Sequence, residues 1–504
     1  VPDTSQNKGV SGYIFTKIRF VMSKTIKNLL AQARTCYKTF LEMNRSHNWK
    51  LQKCGTEEEM REVAAKICRN YLNGMWKKVD ASELEFHRVS GGLSNFLYFV
   101  GLPDKQNYPI SRINSHHSIS FSPHTSVSLQ VLIRIYGQIH GERAMDAIVT
   151  ESVMFTLLSE RRLGPKLHGV FPGGRIEEYV PARSLKTCEL AEPALSMKIA
   201  EKTAAVHCMD VPLNKEPSWL WKTMFKWLKI VKEDRLAPNV KNELEAEIMD
   251  RFRGVDFEKE IEWLRRFLAG VSSPVHFCHN DLQEGNILLY ESEEDPSDPD
   301  ECYFPLAPPS PPASPPLASS PAPAPAPATP APAPRAEDAD SVCSRLSDSG
   351  EPQITLIDFE YCAYNYRGFD VANHFQEWVY DYTNPEHPYY YKIPENAATL
   401  EQKEIFIKEY LKHYLTLKSD SKEYIQPSID EVNALLTEVE AFALPSHLFW
   451  TLWSIVNANA SEIPFGCWEY GMDRYETYLS LKQEVMKKEQ LGIPQKRKIC
   501  EVDI

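Results

Sequence analysis

One short stretch of the sequence carries two residue types that together could transfer a phosphoryl group. In HNDLQEGN, Asp281 is followed five positions later by Asn286. Phosphoryl transfer to an alcohol needs a carboxylate that orients the hydroxyl and accepts its proton. It also needs an oxygen ligand nearby for the metal ion that bridges the nucleotide phosphates. Asp281 and Asn286 fit these two roles, because a short loop leading into the apolar stretch ILLY would position both side chains.

A second metal ligand would have to come from beyond a long interruption. Kinase catalytic loops read H-R-D-x-x-x-x-N and are followed by a metal-binding aspartate in a D-F-G motif. The corresponding candidate is Asp358 in LIDFE, which follows a tract of prolines, serines and acidic residues. Segments 286–290 and 354–358 are both β-prone, and end-to-end antiparallel pairing would place Asn286 opposite Asp358. The tract would then leave from the far end of the hairpin, where a long loop costs little because its closure entropy grows only logarithmically with length.

Residues nearer the N-terminus could hold the nucleotide. Arg134 lies in the middle of the alternating segment SLQVLIRIYG, where protein kinases carry the lysine that contacts the phosphates. Glu151, on a predicted helix, is its candidate partner, and a solvated charge is the alternative for each of the two. A turn between two β-prone segments could wrap phosphates with backbone N–H groups, or could be a plain hairpin turn. The turn residues of interest are Gly91, Gly92, Ser94 and Asn95.

The elements that must position these residues predict an α+β fold with two lobes, like that of protein kinases. Residues 1–50 form a leader that is partly flexible, and residues 51–180 form a small, sheet-rich nucleotide-binding lobe. Residues 181–504 form a larger, mainly helical lobe for catalysis and substrate binding. Within that lobe, residues 291–352 contain about half of the chain's 36 prolines and very few large apolar residues. Such a segment cannot offset its ordering entropy by burial, so it is predicted to be a disordered insertion.

Composition narrows the class of protein further. The formal net charge of -13 argues against a nucleic-acid-binding protein. The 11 cysteines are scattered and never spaced C-x-x-C, which indicates reduced thiols in a cytoplasmic protein. The most apolar window, FALPSHLFWTLWSIV, is interrupted by proline and polar residues, so a buried helix is predicted and no transmembrane segment. The insertion holds P-x-x-P repeats that SH3-type domains could bind, with an unstructured spacer as the alternative.

Two longer stretches resemble a known family. VHFCHNDLQEGNILLY and LIDFEYCAYNYRGFDVANHFQEWVYDY are similar to the choline/ethanolamine kinases, most of all to choline kinases. The resemblance covers most of residues 56–485 and implies the two-lobed fold shared with aminoglycoside phosphotransferases. It implies ATP-dependent phosphorylation of the choline hydroxyl, the first step of phosphatidylcholine synthesis. It also makes Asp281 the base, Asn286 and Asp358 the ligands of Mg²⁺ (with Mn²⁺ as the alternative), and Gln283 a neighbour of the reacting groups.

The resemblance extends to the nucleotide and to the acceptor. It implies that Arg134 contacts the ATP phosphates, that the chain is a homodimer, and that a hinge meets the adenine. The hinge residues would be Glu177, Glu178, Tyr179 and Val180. A quaternary ammonium cannot donate hydrogen bonds, so proteins bind it through aromatic faces and a nearby carboxylate. The residues that match the family's choline pocket are Tyr361, Glu377, Tyr382, Trp450, Trp453 and Tyr470.

Other interpretations stay open at this point. Trp450 and Trp453, three positions apart, would without the resemblance indicate an ordinary core stripe. The sequence departs from the family's FGYMDY-like run at Cys467 and Trp468, so the shape of that pocket wall is not given by the resemblance. The pocket could also admit ethanolamine, either as the preferred acceptor or alongside choline. Outside enzymes, the chain could be a catalytically inactive scaffold that presents its proline-rich insertion, although Asp281, Asn286 and Asp358 argue against this.

Overall fold

The structure is a computed structural model. It describes residues 56–89, 95–103, 129–136, 152, 154–171, 173–211, 213–233, 240–290, 352–419, 421–460 and 464–490. The predictions for the leader and for the proline-rich insertion up to residue 351 fall outside these ranges.

The smaller lobe is built on one antiparallel sheet, with strands in the order β1-β2-β3-β5-β4. Its strands are Glu85–Val89 (β1), Asn95–Gly101 (β2), Gln130–Tyr136 (β3), Leu167–Phe171 (β4) and Gly174–Glu178 (β5). Helix Glu57–Tyr71 (α1) begins at a capping box, in which Thr56 and Glu59 satisfy each other's backbone N–H groups. Helix α1 packs on β4, where the Tyr71 and Phe171 rings meet with centroids 6.0 Å apart. The apolar face of α1 and the alternating residues Val131, Ile133 and Ile135 of β3 are buried in the same core, so burial selects the predicted face of both elements.

A helix at residues 154–160 (α2) precedes β4 in the chain, and a short strand, Ala182–Ser184 (β6), comes after β5. The second lobe, which comes next, is mainly helical. Its helices are Pro193–His207 (α3), Trp219–Glu233 (α4), Glu243–Arg253 (α5), Phe257–Leu268 (α6), Arg367–Glu377 (α7), Leu400–Lys418 (α8), Ile429–Ala460 (α9) and Cys467–Gln490 (α10). Its strands are Val275–Cys278 (β7), Ile287–Tyr290 (β8), Ile354–Leu356 (β9), Ala363–Tyr366 (β10), Tyr380–Asp381 (β11) and Tyr391–Lys392 (β12). The two-lobed α+β fold is therefore as predicted.

The apolar window FALPSHLFWTLWSIV lies within α9, and most of its large side chains are buried in the core of the larger lobe, with Trp453 and Val456 partly buried at its edge. This confirms the predicted buried helix. Within the ranges that the structure describes, no helix combines the length and the apolarity needed to cross a membrane.

The hairpin that links the two halves of the catalytic motif differs from the prediction by one residue. Strands β8 and β9 are antiparallel, with Ile287 opposite Leu356 and Leu289 opposite Ile354. The prediction that Asn286 faces Asp358 is therefore wrong. The observed register puts the buried side chains of Ile287 and Leu356 on the same face, whereas a shift of one residue would turn one strand's core side chains away. Burial, and not equal strand length, sets the register.

The hairpin nevertheless brings the two motifs to one end. Asn286 directly precedes β8, its carbonyl accepts a hydrogen bond from the N–H of Ile357 at 3.0 Å, and Asp358 is the next residue. At the other end, Tyr290 closes β8 and its N–H bonds the carbonyl of Gln353 at 3.1 Å. The insertion therefore leaves the hairpin from the end opposite the catalytic residues, as the sequence predicted.

Candidate active site

The loop between β7 and β8 holds Asp281 and Asn286 together. The Asn286 side-chain amide donates to the Asp281 carboxylate Oδ2 and to the Asp281 backbone carbonyl, both at 2.9 Å. Because Asn286 uses its Nδ2 for both contacts, its Oδ1 is the atom that could ligate a metal ion. Gln283 caps the 3₁₀ turn Glu284–Asn286, and its Oε1 accepts from the Gly285 N–H at 2.8 Å. Two of the four predicted catalytic residues thus contact each other directly, and Gln283 shapes the loop between them.

A buried carboxylate on α7 anchors the start of this loop. The two oxygens of Asp370 accept the backbone N–H groups of His279, at 2.9 Å, and of Asn280, at 2.7 Å. A third hydrogen bond joins Asp370 Oδ2 to His207 Nε2 at 2.9 Å. Asn280 has a φ of 68°, a left-handed conformation that few residues other than glycine, asparagine and aspartate adopt. Asp370 therefore holds the backbone in the shape that presents Asp281.

Asp358 stands between the lobes with its two oxygens in different surroundings. Its backbone is also left-handed, with a φ of 61°, which turns the chain sharply after β9. Its Oδ2 accepts from Arg134 Nη1 at 3.3 Å. Its Oδ1 is enclosed and has no hydrogen-bond partner among the described residues. An enclosed carboxylate oxygen of this kind suits a hard divalent cation such as Mg²⁺, so the donor set of Asp358 and Asn286 fits a metal.

The surroundings of Asp281 shift the pKa of its carboxyl group. Burial raises the pKa of the Asp281 carboxyl well above its usual value, and the nearby carboxylates of Glu377 and Asp358 raise it further. The hydrogen bond from Asn286 acts in the opposite direction. Positive charge brought in by a metal ion or a cationic acceptor would lower the same pKa. A carboxylate in this setting changes its proton affinity with the occupancy of the site, as a general base can use.

Arg134 lies in β3, as predicted, and is buried. Its Nε donates to Glu177 Oε1 at 2.8 Å, and Arg175 Nε donates to the same oxygen at 2.6 Å. Burial alone would raise the pKa of Glu177, but the two guanidinium groups hold it below its usual value. Arg134 therefore links the sheet of the small lobe to Asp358 in the large lobe. Its predicted contact with the ATP phosphates stays a prediction.

The predicted hinge divides into two parts. Glu177 and Glu178 still belong to β5, and the Glu177 side chain faces Arg134. Tyr179 and Val180 follow the strand, and the Tyr179 ring meets the Phe99 ring edge-on with centroids 4.6 Å apart. Glu178 and Val180 line a cavity of about 440 Å³, whose lining includes none of the predicted catalytic residues. The adenine contact of this segment remains a prediction.

Part of the predicted nucleotide site cannot be placed. Gly91, Gly92 and Ser94 lie outside the described residues, and so does Glu151. Asn95 begins β2, opposite Tyr136 of β3. Strands β1 and β2, on either side of the glycine turn, are paired antiparallel, with Val89 opposite Leu97. The phosphate contacts of the turn stay a prediction.

The six predicted acceptor residues come together beside the catalytic loop. The rings form a continuous series, with centroids 5.7 Å apart for Tyr361 and Trp450, 5.6 Å for Trp450 and Trp453, and 6.5 Å for Trp453 and Tyr470. Tyr361 is tied to the catalytic loop, because its carbonyl accepts from the Asn280 side chain at 2.9 Å. The two tryptophans are therefore part of a larger aromatic cluster, which we call the aromatic wall: Tyr361, Tyr382, Trp450, Trp453 and Tyr470.

A buried ion pair completes the aromatic wall. The Tyr382 hydroxyl donates to Glu377 Oε2 at 2.7 Å and lies 3.0 Å from the Tyr470 hydroxyl. Arg474 Nη2 pairs with Glu377 Oε1 and also donates to the Tyr470 hydroxyl. Although burial would lower it, the pKa of Arg474 is raised by Glu377 and the surrounding tyrosines. Glu377 is thus a fixed, hydrogen-bonded anion behind the rings.

The sequence reasoning missed three residues that the site depends on. Arg474 lies one helical turn after Tyr470, a spacing that could have flagged it as a neighbour. Asp370 lies inside the long second motif but was not singled out. Glu177 was placed in the hinge, although its strand position opposite Leu132, next to Arg134, makes it a partner of that arginine.

Comparison with known proteins shows what the chain as a whole is similar to. The family model described as choline/ethanolamine kinase matches residues 86–479. A human choline/ethanolamine kinase is 40% identical over 418 residues, covering 83% of this chain and 85% of that protein. Mouse choline kinase alpha is 35% identical over 451 residues, covering 85% of this chain and 82% of that protein. The crystal structure of a Cryptosporidium parvum choline kinase has a TM-score of 0.57 at 23% identity, covering 85% of this chain and 97% of that one, so it supports the fold.

Proposed function

The chain belongs to the choline/ethanolamine kinase family, and on that premise we propose that it transfers the γ-phosphoryl group of ATP to the hydroxyl of choline. The observation that carries the proposal is the aromatic wall, which stands next to the loop of Asp281 and has a buried carboxylate behind it. A site for a cationic alcohol and a base for its hydroxyl are then side by side.

The state of Glu377 favours choline over ethanolamine. Both of its oxygens are engaged, one by Tyr382 and the other by Arg474. A primary ammonium needs hydrogen-bond acceptors when it leaves water, whereas a trimethylammonium group needs none. Each aromatic face contributes about 0.5–2 kcal/mol to binding a desolvated cation, so several faces together can hold choline without a direct bond to carboxylate. The wall therefore suits the quaternary cation better.

The proposed roles in catalysis follow from the contacts. Asp281 accepts the proton of the choline hydroxyl as its oxygen attacks phosphorus, and Asn286 keeps the carboxylate oriented. Asn286 Oδ1 and the enclosed Oδ1 of Asp358 would hold Mg²⁺. When bound, the ion neutralises charge on the β- and γ-phosphates. Arg134 fixes the position of Asp358 through its other oxygen.

The direct test is detection of the product. Purified protein with Mg·ATP and choline should form phosphocholine and ADP in equal amounts, as followed by ³¹P NMR. Asp281→Asn keeps an oxygen for the Asn286 contact but cannot take the proton, so turnover should fall by at least about 1,000-fold while the protein stays folded. Absence of phosphocholine with the wild-type protein would remove the proposal and leave ethanolamine as the acceptor, or the scaffold interpretation.

A further inference from the structure

A group of metal-ligating side chains lies outside the catalytic site. Glu245 of α5, His387 of the segment between β11 and β12, and Glu469 of α10 bring their ligand atoms within 4.8 Å of one another. His387 Nε2 lies 2.8 Å from Glu469 Oε1. We propose that these three residues, here called the rim cluster, bind a divalent transition-metal ion, with Zn²⁺ as the best match. The inference does not depend on the proposed function.

Charge is the first argument for a cation in the rim cluster. Glu245 is only 3% exposed and the Glu469 side chain only 13% exposed. Two carboxylates this close and this far from water repel each other, and a cation between them would stabilise the ionised pair. The third member, His387, can supply at most one positive charge, on a side chain that is 43% exposed. A divalent ion would balance both carboxylates.

An unsatisfied ligand atom is the second argument. Glu469 Oε2 is enclosed and has no hydrogen-bond partner among the described residues. Leaving a buried acceptor of this kind unpaired is unfavourable, and more so when it is charged. The corresponding Oε2 of Glu245 accepts from the Lys241 N–H at 2.6 Å. Coordination of a metal would satisfy the orphaned oxygen of Glu469.

Local packing holds two of the ligands side by side. The Gly466 N–H donates to the Pro388 carbonyl at 2.9 Å, which joins the segment of His387 to the start of α10. A Cβ at Gly466 would lie 2.4 Å from Pro388 Cβ and 3.0 Å from Glu469 Oε2. Glycine is therefore required for this contact, and it leaves space beside the orphaned oxygen.

The donor set selects the type of metal. One imidazole nitrogen and two carboxylate oxygens are all ligand types that Zn²⁺ accepts, and a water molecule could fill the fourth tetrahedral position. Mg²⁺ and Ca²⁺ prefer oxygen ligands alone. Tetrahedral Zn²⁺ with bonds of about 2.0–2.1 Å places its ligand atoms roughly 3.3 Å apart. The 2.8 Å pair of His387 and Glu469 must therefore open slightly, and any pair near the 4.8 Å limit must close. The exposed side chain of His387 can make that movement.

An ion in the rim cluster would stabilise the position of the aromatic wall. Tyr390 precedes β12 on the segment of His387, and its ring lies 5.4 Å from that of Tyr470, which follows Glu469 on α10. The ligands thus join α5, the β11–β12 segment and α10 on the outer side of the wall. Binding of Zn²⁺ should raise the thermal unfolding temperature of the protein, because only the folded state brings the ligands together.

The experiment is titration of the chelator-treated full chain with ZnCl₂, followed by calorimetry and by zinc anomalous diffraction. We expect one Zn²⁺ with an anomalous peak in the rim cluster. His387→Ala and Glu469→Gln should each weaken that Zn²⁺ by more than about 100-fold, since even residues that only orient a ligand change metal affinity by 10–100-fold. In these variants Zn²⁺ should no longer raise the thermal unfolding temperature.

Two controls separate the rim cluster from other sites. His87→Ala removes an exposed histidine that stacks on Phe99, with ring centroids 4.6 Å apart, and should bind Zn²⁺ like the wild type. Asp358→Asn should likewise keep the rim-cluster ion, because it alters only the catalytic site. Unchanged Zn²⁺ binding in His387→Ala, or an anomalous peak elsewhere alone, would overturn the proposal. Because His387 is at the surface, this variant decides the matter even if Glu469→Gln fails to fold.

Discussion

Replacing Asp370 with asparagine should damage both stability and turnover. The carboxylate is fully buried and accepts three hydrogen bonds, from the N–H groups of His279 and Asn280 and from His207. Asparagine has one acceptor oxygen, and its NH₂ group must face at least one of the two backbone N–H groups. An unpaired buried donor costs about 1–3 kcal/mol. Weaker, neutral hydrogen bonds at the remaining contacts add roughly 1–2 kcal/mol, since charge-assisted bonds are about twice as strong.

The total expected loss is about 3 kcal/mol in the free energy of unfolding, measured by urea denaturation. Turnover should fall by at least about 10-fold, because the backbone of Asn280 is no longer held in the conformation that presents Asp281. Asp210→Asn is the matched control, since the Asp210 side chain is 81% exposed and should tolerate the change. If Asp370→Asn unfolds within 1 kcal/mol of the wild type and keeps its turnover, the anchoring role of Asp370 is wrong.

Three further results are expected. Trp453→Ala should raise KM for choline by about 2- to 30-fold, the equivalent of 0.5–2 kcal/mol of lost cation–π contact, with a smaller effect on kcat. Burial lowers the pKa of His374 to about 4, so the folded state binds fewer protons than the unfolded state. Its contribution to stability is complete above pH 6.5 and is lost as the pH falls, by about 2 kcal/mol at pH 5 in urea melts. Deletion of residues 295–350 should leave kcat and KM nearly unchanged in a coupled ADP assay, because the insertion leaves the hairpin far from Asp358.

Each of these three results has its own control. Trp263→Ala removes a ring that stacks on Phe267, outside the aromatic wall, and should leave KM for choline unchanged. His374→Gln should flatten the acid slope of stability by about one proton, and an unchanged slope would assign the effect to other groups. A large loss of turnover in the deletion variant would show that the insertion supports the hairpin.

Local spacing in the sequence was sufficient to predict the catalytic loop. Asp281 and Asn286 lie within one turn-forming stretch, so their contact is decided by a few neighbouring residues. The same holds for the capping box at Thr56 and for the alternating face of β3. Both depend on side-chain periodicity, which the sequence displays directly.

Long-range pairing was harder to obtain from the sequence. The hairpin register was wrong by one residue because segment length does not determine which side chains face the core. Arg474 contacts Glu377 across 97 positions, and nothing local to either residue indicates the pair. Glu177 pairs with Arg134 across neighbouring strands, which requires knowing that β3 and β5 are adjacent. These contacts come from topology, which single-sequence patterns leave open.

The most direct test of the account is the ratio of kcat/KM for choline to kcat/KM for ethanolamine, measured with Mg·ATP in one assay. Because Glu377 is already engaged by Tyr382 and Arg474, the aromatic wall should favour the quaternary cation. We expect choline to be preferred by at least about 10-fold, or 1.4 kcal/mol in transition-state binding. Equal values, or a preference for ethanolamine, would contradict the assignment of the aromatic wall as a choline site.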